Sequence, residues 1–303
     1  MALFGKKKEG DQCAICGKER KTGLFRGLFQ ASVDGQYVCG DCYGIVDLPA
    51  ATENQMSIQE FKEYMNFRKE NLKLKDRFAV SSSIDFGILD SKVVFDHTHG
   101  YLCLSKELDK TIFERKHLSS FAIREDSHTI FEGNANGMNS YGSNVHNQLR
   151  LMQPKFTQFR QEMRTFQDKL NRMSPEQQEK ERSNKPRFNS PEPFQNFYVD
   201  LYFDHPYWKE ITLDMAGPRF HSESASLEDY LTSYRLSFGT MEQLAQNLES
   251  FLSAKAGMAS EMANSASSQA DAAETLKRFK ELLDMGVLTE EEFAAKKRQL
   301  LGL

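Results

Sequence analysis

The sequence predicts an α+β chain of several small domains, and three observations predict it. Two Cys-x-x-Cys pairs stand near the first residues, short β-branched and aromatic runs broken by Gly, Asp and Ser fill the middle, and helical periodicities interrupt and follow those runs. The expected parts are a four-cysteine domain over 1–50, a connecting helix over 51–78, an antiparallel β domain over 79–253 with a terminal helix and an inserted helix near 154–173, a linker over 254–272 and a helical hairpin over 273–303. A length of 303 residues suits about two domains with small appendages. With 39% hydrophobic residues and a mean hydropathy of -0.59, part of the chain must be solvated linker or exposed helix.

Composition removes several function classes. A net charge of -4 and a pI near 6.0 supply no global basic field for nucleic acid or anionic lipid. No apolar run approaches the roughly 20 residues that cross a bilayer. The opening MALFGKKKEG places its charge after a very short apolar stretch, the reverse of a secretory signal, and Ala2 stands where myristoylation requires glycine. The expectation is a cytoplasmic protein. Five cysteines agree, because an odd count with vicinal pairs suits a reducing compartment and metal binding better than a disulfide framework. Cys103, alone in the apolar run YLCLS, reads as a buried small hydrophobe rather than a nucleophile.

Cys13 and Cys16 are separated from Cys39 and Cys42 by 22 residues. Two cysteines three apart on a tight knuckle aim their thiolates at one point, and two knuckles complete a tetrahedral cage of structural Zn2+ with bonds of about 2.3 Å. Four thiolates leave no open coordination position. Gly17 and Gly40 are expected to provide the backbone freedom, and Asp34-Gly35 a turn between short strands. The alternative, a redox dithiol, normally occurs once and on a βαβ scaffold that is absent from the pattern. Ribbons of this kind often bind nucleic acid, but residues 1–78 hold 13 Lys/Arg against 11 Asp/Glu, with Lys6, Lys7 and Lys8 as the only cluster.

Ser57 with Glu60 three residues on forms a capping-box pattern, and Ile58, Phe61, Met65 and Leu72 give the following helix an apolar face. Residues 79–132 read as antiparallel strands. His97 and His99, two apart, would point the same way on a strand, but with no carboxylate or cysteine converging they read as part of a hairpin turn rather than as metal ligands. The other five histidines are scattered, and no Ser/His/Asp spacing, phosphate loop or acid pair stands out. No enzyme is expected. From Val145 onward, Leu149, Met152, Phe156, Phe159, Met163, Phe166, Leu170 and Met173 recur at alternating four- and three-residue steps, a heptad seam in which Pro154 predicts a start or break. This helix either packs on its own domain, pairs with another subunit through Phe156, Phe159, Met163, Phe166 and Leu170, or meets an acidic partner or membrane, since residues 150–187 hold 10 Lys/Arg and 5 Asp/Glu. SPEQQEKERSNKPRFNSPEP reads as a polar linker. A hairpin follows, with Phe197, Val199, Leu201 and Phe203 facing inward against Ile211 and Leu213, and SLEDYLTSY and TMEQLAQNLESFL end the domain as helix. Such an order suits a small barrel or sandwich plugged by its last helix.

Residues 254–272 are small and polar, a tether. In LKRFKELLDMGVLTEEEFAAKKRQLL, Leu276, Phe279, Leu282 and Leu283 form one apolar face, Gly286 ends the helix, Thr289 and Glu292 cap the next, and Phe293 and Leu300 continue the face. About 30 residues bury too little surface to fold strongly alone, so this hairpin is built to dock on something else. Its six acidic and six basic residues over 272–303 disfavour a polyanion.

That segment resembles the SHOCT module, a short C-terminal helical hairpin of bacterial proteins, across nearly its whole length. The resemblance implies oligomerisation or protein contacts. CAICGKE…YVCGDC followed by SIQEFKEYMNFRKEN is similar to an uncharacterised bacterial family with a four-cysteine zinc domain. In that family a middle domain resembling a pleckstrin-homology (PH) fold often follows, and TIFERKHLSSFAIREDSHTIFEG looks like its strand pair. The resemblance implies Cys13, Cys16, Cys39 and Cys42 as zinc ligands and brings no catalytic residues. Relatives tend to carry a glycine-rich segment where this chain has its aromatic heptad helix. The reading is a non-enzymatic, zinc-stabilised scaffold for protein interaction or self-association, with a nucleic-acid-associated regulator or a peripheral membrane sensor as alternatives.

Overall fold

The computed structural model describes residues 12–20, 31–85 and 92–253. The expected tether and the hairpin with Leu276, Phe279, Leu282, Leu283, Phe293 and Leu300 lie outside the described residues. The chain divides into two compact units, Met1–Ser253 and Ala254–Leu303.

The first elements are short. Strands β1 (Ala31–Val33) and β2 (Gln36–Val38) pair antiparallel around Asp34 and Gly35, whose φ angles of 49° and 71° are those of a two-residue turn with both central residues left-handed. Helices α1 (Gly40–Tyr43) and α2 (Ala50–Glu53) follow. Helix α3 (Ile58–Leu72) opens on the expected capping box: the Glu60 amide donates to the Ser57 hydroxyl, and the Glu60 carboxylate accepts from the Ser57 amide at 2.8 Å. Its buried side chains are Phe61, Tyr64, Met65, Arg68 and Asn71, whereas Ile58 and Leu72 are only half-buried.

The body is antiparallel throughout. Strands β3 (Ser82–Asp85), β4 (Lys92–Asp96), β5 (Tyr101–Cys103) and β6 (Ile112–Glu114) form a four-stranded sheet in that order. Strands β7 (Leu118–Glu125), β8 (His128–Asn134), β9 (Gly137–Ser140), β10 (Asn196–Phe203) and β11 (Glu210–Ala216) form a second sheet ordered β11-β10-β7-β8-β9. The expected hairpin has the expected register, Val199 opposite Leu213 and Leu201 opposite Ile211. Its inward residues Phe197, Val199, Leu201 and Phe203 are buried. The sheets meet where Phe113 of β6 stacks on Phe203 of β10 at 4.4 Å between ring centroids.

One helix closes both sheets. The two helical segments expected at the end of the domain are a single 27-residue helix, α6 (Leu227–Ser253), because Gly239 meets no neighbouring atom and its only cost is glycine's intrinsic helix penalty of about 1 kcal/mol. Its first half lies on the five-stranded sheet, Tyr234 against Phe197 and Phe238 against Phe131. Its last turns lie on the four-stranded sheet, Phe251 against Phe95 at 5.7 Å and Asn247 accepting a 2.6 Å hydrogen bond from the Ser82 hydroxyl.

Several expectations need correction. Helix α4 (Val145–Asn171) starts nine residues before Pro154 and runs through it. The missing Pro154 amide removes one helical hydrogen bond, but Val145 and Leu149 are buried in the main core and hold the first turns in place. The segment read as a polar linker contains helix α5 (Pro175–Glu181), opened by a capping box of Ser174 and Gln177 with Pro175 at its first position. By contrast, His97 and His99 stand in the hairpin turn expected for them: β4 ends at Asp96, and both belong to the turn before β5, where His99 Nδ1 lies 2.7 Å from Asp96 Oδ2. Gly40 adopts helical backbone as the first residue of α1, so only Gly17, at φ 72°, uses glycine's freedom in the knuckles.

A candidate metal centre of four cysteines

Cys13 and Cys16 flank a tight turn whose ends are tied by two backbone bonds, Gly17 N–H to Cys13 O at 2.9 Å and Cys13 N–H to Lys18 O at 2.8 Å. Ala14 N–H donates to Tyr37 O on β2 at 2.8 Å, which fixes this knuckle to the hairpin. Cys39 directly precedes α1, and Cys42 lies within it. The Cys39 amide donates to the Cys13 sulfur at 3.2 Å, and Cys16 Sγ lies 3.6 Å from Cys39 Sγ. All four sulfurs lie within 4.8 Å of one another, and none is in a disulfide.

The residues fit a metal ion. Bonds of about 2.3 Å to a tetrahedral zinc put sulfurs about 3.8 Å apart, close to the Cys16–Cys39 separation and far from the ~2.05 Å of a disulfide. The electrostatics suit a cation as well. Burial raises the Cys13 thiol, yet amides of Cys39, Cys16 and Ile15 donating to its sulfur bring it down to about 6. Burial first, and then the neighbouring sulfurs, push Cys39 and Cys42 upward. Four adjacent thiols cannot all ionise against one another, and a divalent ion removes that repulsion. Lys18 adds one positive charge at the rim, ion-paired with Asp41 at 2.6 Å.

Helix α3 joins this centre to the body through polar groups that sequence reading missed. Arg68, 1% exposed, donates to Ile45 O at 3.0 Å, to Lys110 O at 3.4 Å and to Asp109 O. Asn71 pairs with β6 as a strand would, accepting from Ile112 N–H at 3.0 Å and donating to Ile112 O at 2.7 Å. Asp47 accepts from Thr111 N–H at 2.6 Å. An arginine and an asparagine three and six residues after Met65, on the apolar side of α3, are the signal that was available.

The expected interface helix is largely covered by its own chain. Phe156 stacks on Phe188 at 4.6 Å and meets Phe220 edge-on at 5.4 Å; Phe159 also reaches Phe188. Phe156, Phe159 and Phe166 are buried, Met163 and Leu170 half-buried. Lys169 pairs with Glu181 of α5 at 2.7 Å, and Gln178 of α5 donates to the Leu170 and Met173 carbonyls. Cys103 is fully buried, and burial pushes its thiol up to about 11, which suits a packed hydrophobe and not a nucleophile.

Elsewhere, a polar cleft of about 470 Å³ opens on the outward face of the five-stranded sheet, over the ion pair of Arg124 and Asp200 at 2.6 Å. Around it and on β11 stand Glu132, Glu210 and Asp214, so this face is acidic. Near the junction of the sheets, His205 meets His117 edge-on at 4.7 Å. Burial pushes His205 down to about 4, with His117 next to it, and lowers His117 as well. No described helix is long and apolar enough to cross a membrane.

Comparison with known proteins bears on the end of the chain. Residues 274–301 match the family model of SHOCT, the Short C-terminal domain, so the chain carries a SHOCT domain beyond its four-cysteine cluster and antiparallel body. No curated protein and no solved structure matches the chain.

Proposed function

We propose that the chain is a non-enzymatic, cytoplasmic scaffold for protein interaction or self-association, in which a structural Zn2+ on Cys13, Cys16, Cys39 and Cys42 stabilises the N-terminal module and the C-terminal hairpin is the docking element. The SHOCT domain over 274–301 carries this reading. Its apolar positions Leu276, Phe279, Leu282, Leu283, Phe293 and Leu300 are the proposed partner-binding face. The body is read as PH-like, in keeping with two antiparallel sheets followed by a single long helix across both.

Charge favours this over the alternatives. The open face of the five-stranded sheet carries Glu132, Asp200, Glu210 and Asp214 against Arg124, which repels phosphate groups of nucleic acid or lipid. Some of the basic side chains of α4, α5 and the segment after them are held in local ion pairs, Lys169 with Glu181, Arg182 with Glu179 and Lys185 with Glu223. Light scattering on the full chain and on Leu282→Lys/Leu283→Lys, with metal quantified in both, tests the proposal. The expected result is an assembly, or a protein partner captured from the native lysate, that the double substitution abolishes, with about one zinc per chain in each. An identical mass for both and no partner that depends on these residues would sink it.

A further inference from the structure

The four sulfurs are not equivalent. Cys13, Cys39 and Cys42 are buried at 3%, 7% and 8% exposure, whereas Cys16 is exposed. It follows the first knuckle's turn and precedes Gly17, whose φ of 72° leaves that corner uncrowded, with no atom within 4 Å of where a Cβ would sit. Cys16 also has a partner in place, Cys39 Sγ at 3.6 Å, while the Cys13 sulfur is engaged by the Cys39 amide. Solvent access decides which thiolate meets an oxidant, and a neighbouring sulfur decides whether the product is trapped as a disulfide.

We propose that Cys16 is an oxidant-reactive modification site, at which a hydroperoxide such as H2O2 drives closure of a Cys16–Cys39 disulfide and so dismantles the metal-holding set reversibly. The inference rests on the metal reading above. In the first step the Cys16 sulfur attacks one peroxide oxygen; an S–O bond forms, the O–O bond breaks, and hydroxide leaves and is protonated to water. In the second, the Cys39 thiolate attacks the Cys16 sulfenic acid; the S–S bond forms and the S–O bond breaks, releasing a second hydroxide. Two thiolates lose two electrons in all, and one peroxide becomes two waters with two protons from solvent. The sulfurs close from 3.6 Å to ~2.05 Å, a movement that the exposed side chain of Cys16 can supply. Cys13 and Cys42 alone are half a ligand set, and a thiol reductant restores the other half.

The full chain, zinc-loaded and reduced, is treated with one equivalent of H2O2; released zinc is measured and disulfides are mapped by mass spectrometry without reduction. The expected first linkage is Cys16–Cys39, appearing together with zinc release and reversed by dithiothreitol, with Cys103 unmodified throughout. A first linkage between other sulfurs, or oxidation at Cys13 or Cys42 ahead of Cys16, would overturn the proposal. Cys16→His keeps a fourth ligand without an oxidisable sulfur and is expected to slow zinc release at least about tenfold, whereas Cys42→His is expected to stay within about twofold of wild type. Equal release from both variants would also overturn it, and if either variant fails to bind zinc, the wild-type map decides alone. If the reduced wild-type chain binds no zinc, the metal reading has failed, and the order of sulfur oxidation still decides whether Cys16 is the reactive site.

Discussion

The N-terminal knuckles and the sheet-and-helix body hold themselves together by different means. Among the described residues of the knuckles, the buried apolar side chains other than cysteines are Val33 and Val38. The body buries Phe95, Phe121, Phe197 and Phe251 at 0 or 1% exposure. Two valines cannot offset the conformational entropy of ordering a module of that length, so the knuckles need a further source of stability, which docking and the proposed metal on the four cysteines would supply, whereas the body is stabilised by apolar burial. Helix α3 belongs to both, since Phe61, Tyr64 and Met65 join the common core while Arg68 and Asn71 bond to the 109–112 segment.

Metal removal should break this comparison open most widely. Structural zinc contributes on the order of 10–16 kcal/mol in small peptides, so Cys39→Ser or a chelator is expected to abolish hydrogen-exchange protection over 31–43. Protection over β7 should survive, and its loss would mean that the two regions fold as one unit. The reciprocal change is Phe251→Ala, which removes a ring packed on Phe95 and under Arg115. It should cost about 3–5 kcal/mol in denaturant unfolding of the body and leave the metal content unchanged.

Arg68→Met probes the joint. Carbonyls of Ile45, Asp109 and Lys110 lose their buried donor, for an expected loss of about 2–4 kcal/mol. If the joint couples the regions, knuckle protection falls with it; unchanged protection there would make α3 an attachment of the body alone. The smallest effect is pH-dependent. The depressed His205 binds a proton more readily when unfolded, so stability falls as pH drops from about 6.5 toward about 4. A decline of about 1–3 kcal/mol is expected across that window, and His205→Asn should flatten it. Glu125, raised by burial and bonded to Tyr234 and Ser143, acts in the opposite sense in the body, so the variant's difference curve is the quantity to read.

What was legible in advance follows the range of the signal. The Ser57–Glu60 box and the Asp34-Gly35 turn are set by residues a few positions apart, the β10–β11 hairpin by two alternating runs adjacent in the chain, and each stands where expected. The α5 capping box was equally local but hidden in a polar run read as linker. Arg68 and Asn71 gave no pattern of their own, because their partners lie about 40 residues away. The heptad seam of α4 was visible as a stripe without its occupant, which is Phe188 and Phe220 from a stretch with no regular period.

By itself the sequence determined which side chains can make a metal site, where strands and helices begin and which faces are apolar, since each depends on the chemistry and spacing of near neighbours. Only the tertiary structure decided that the four sulfurs converge with one of them exposed, that Pro154 and Gly239 sit inside unbroken helices, and that α6 closes both sheets. Those outcomes turn on packing between residues far apart in the chain, where burial of Leu149 or Phe251 outweighs a local penalty of a few kcal/mol.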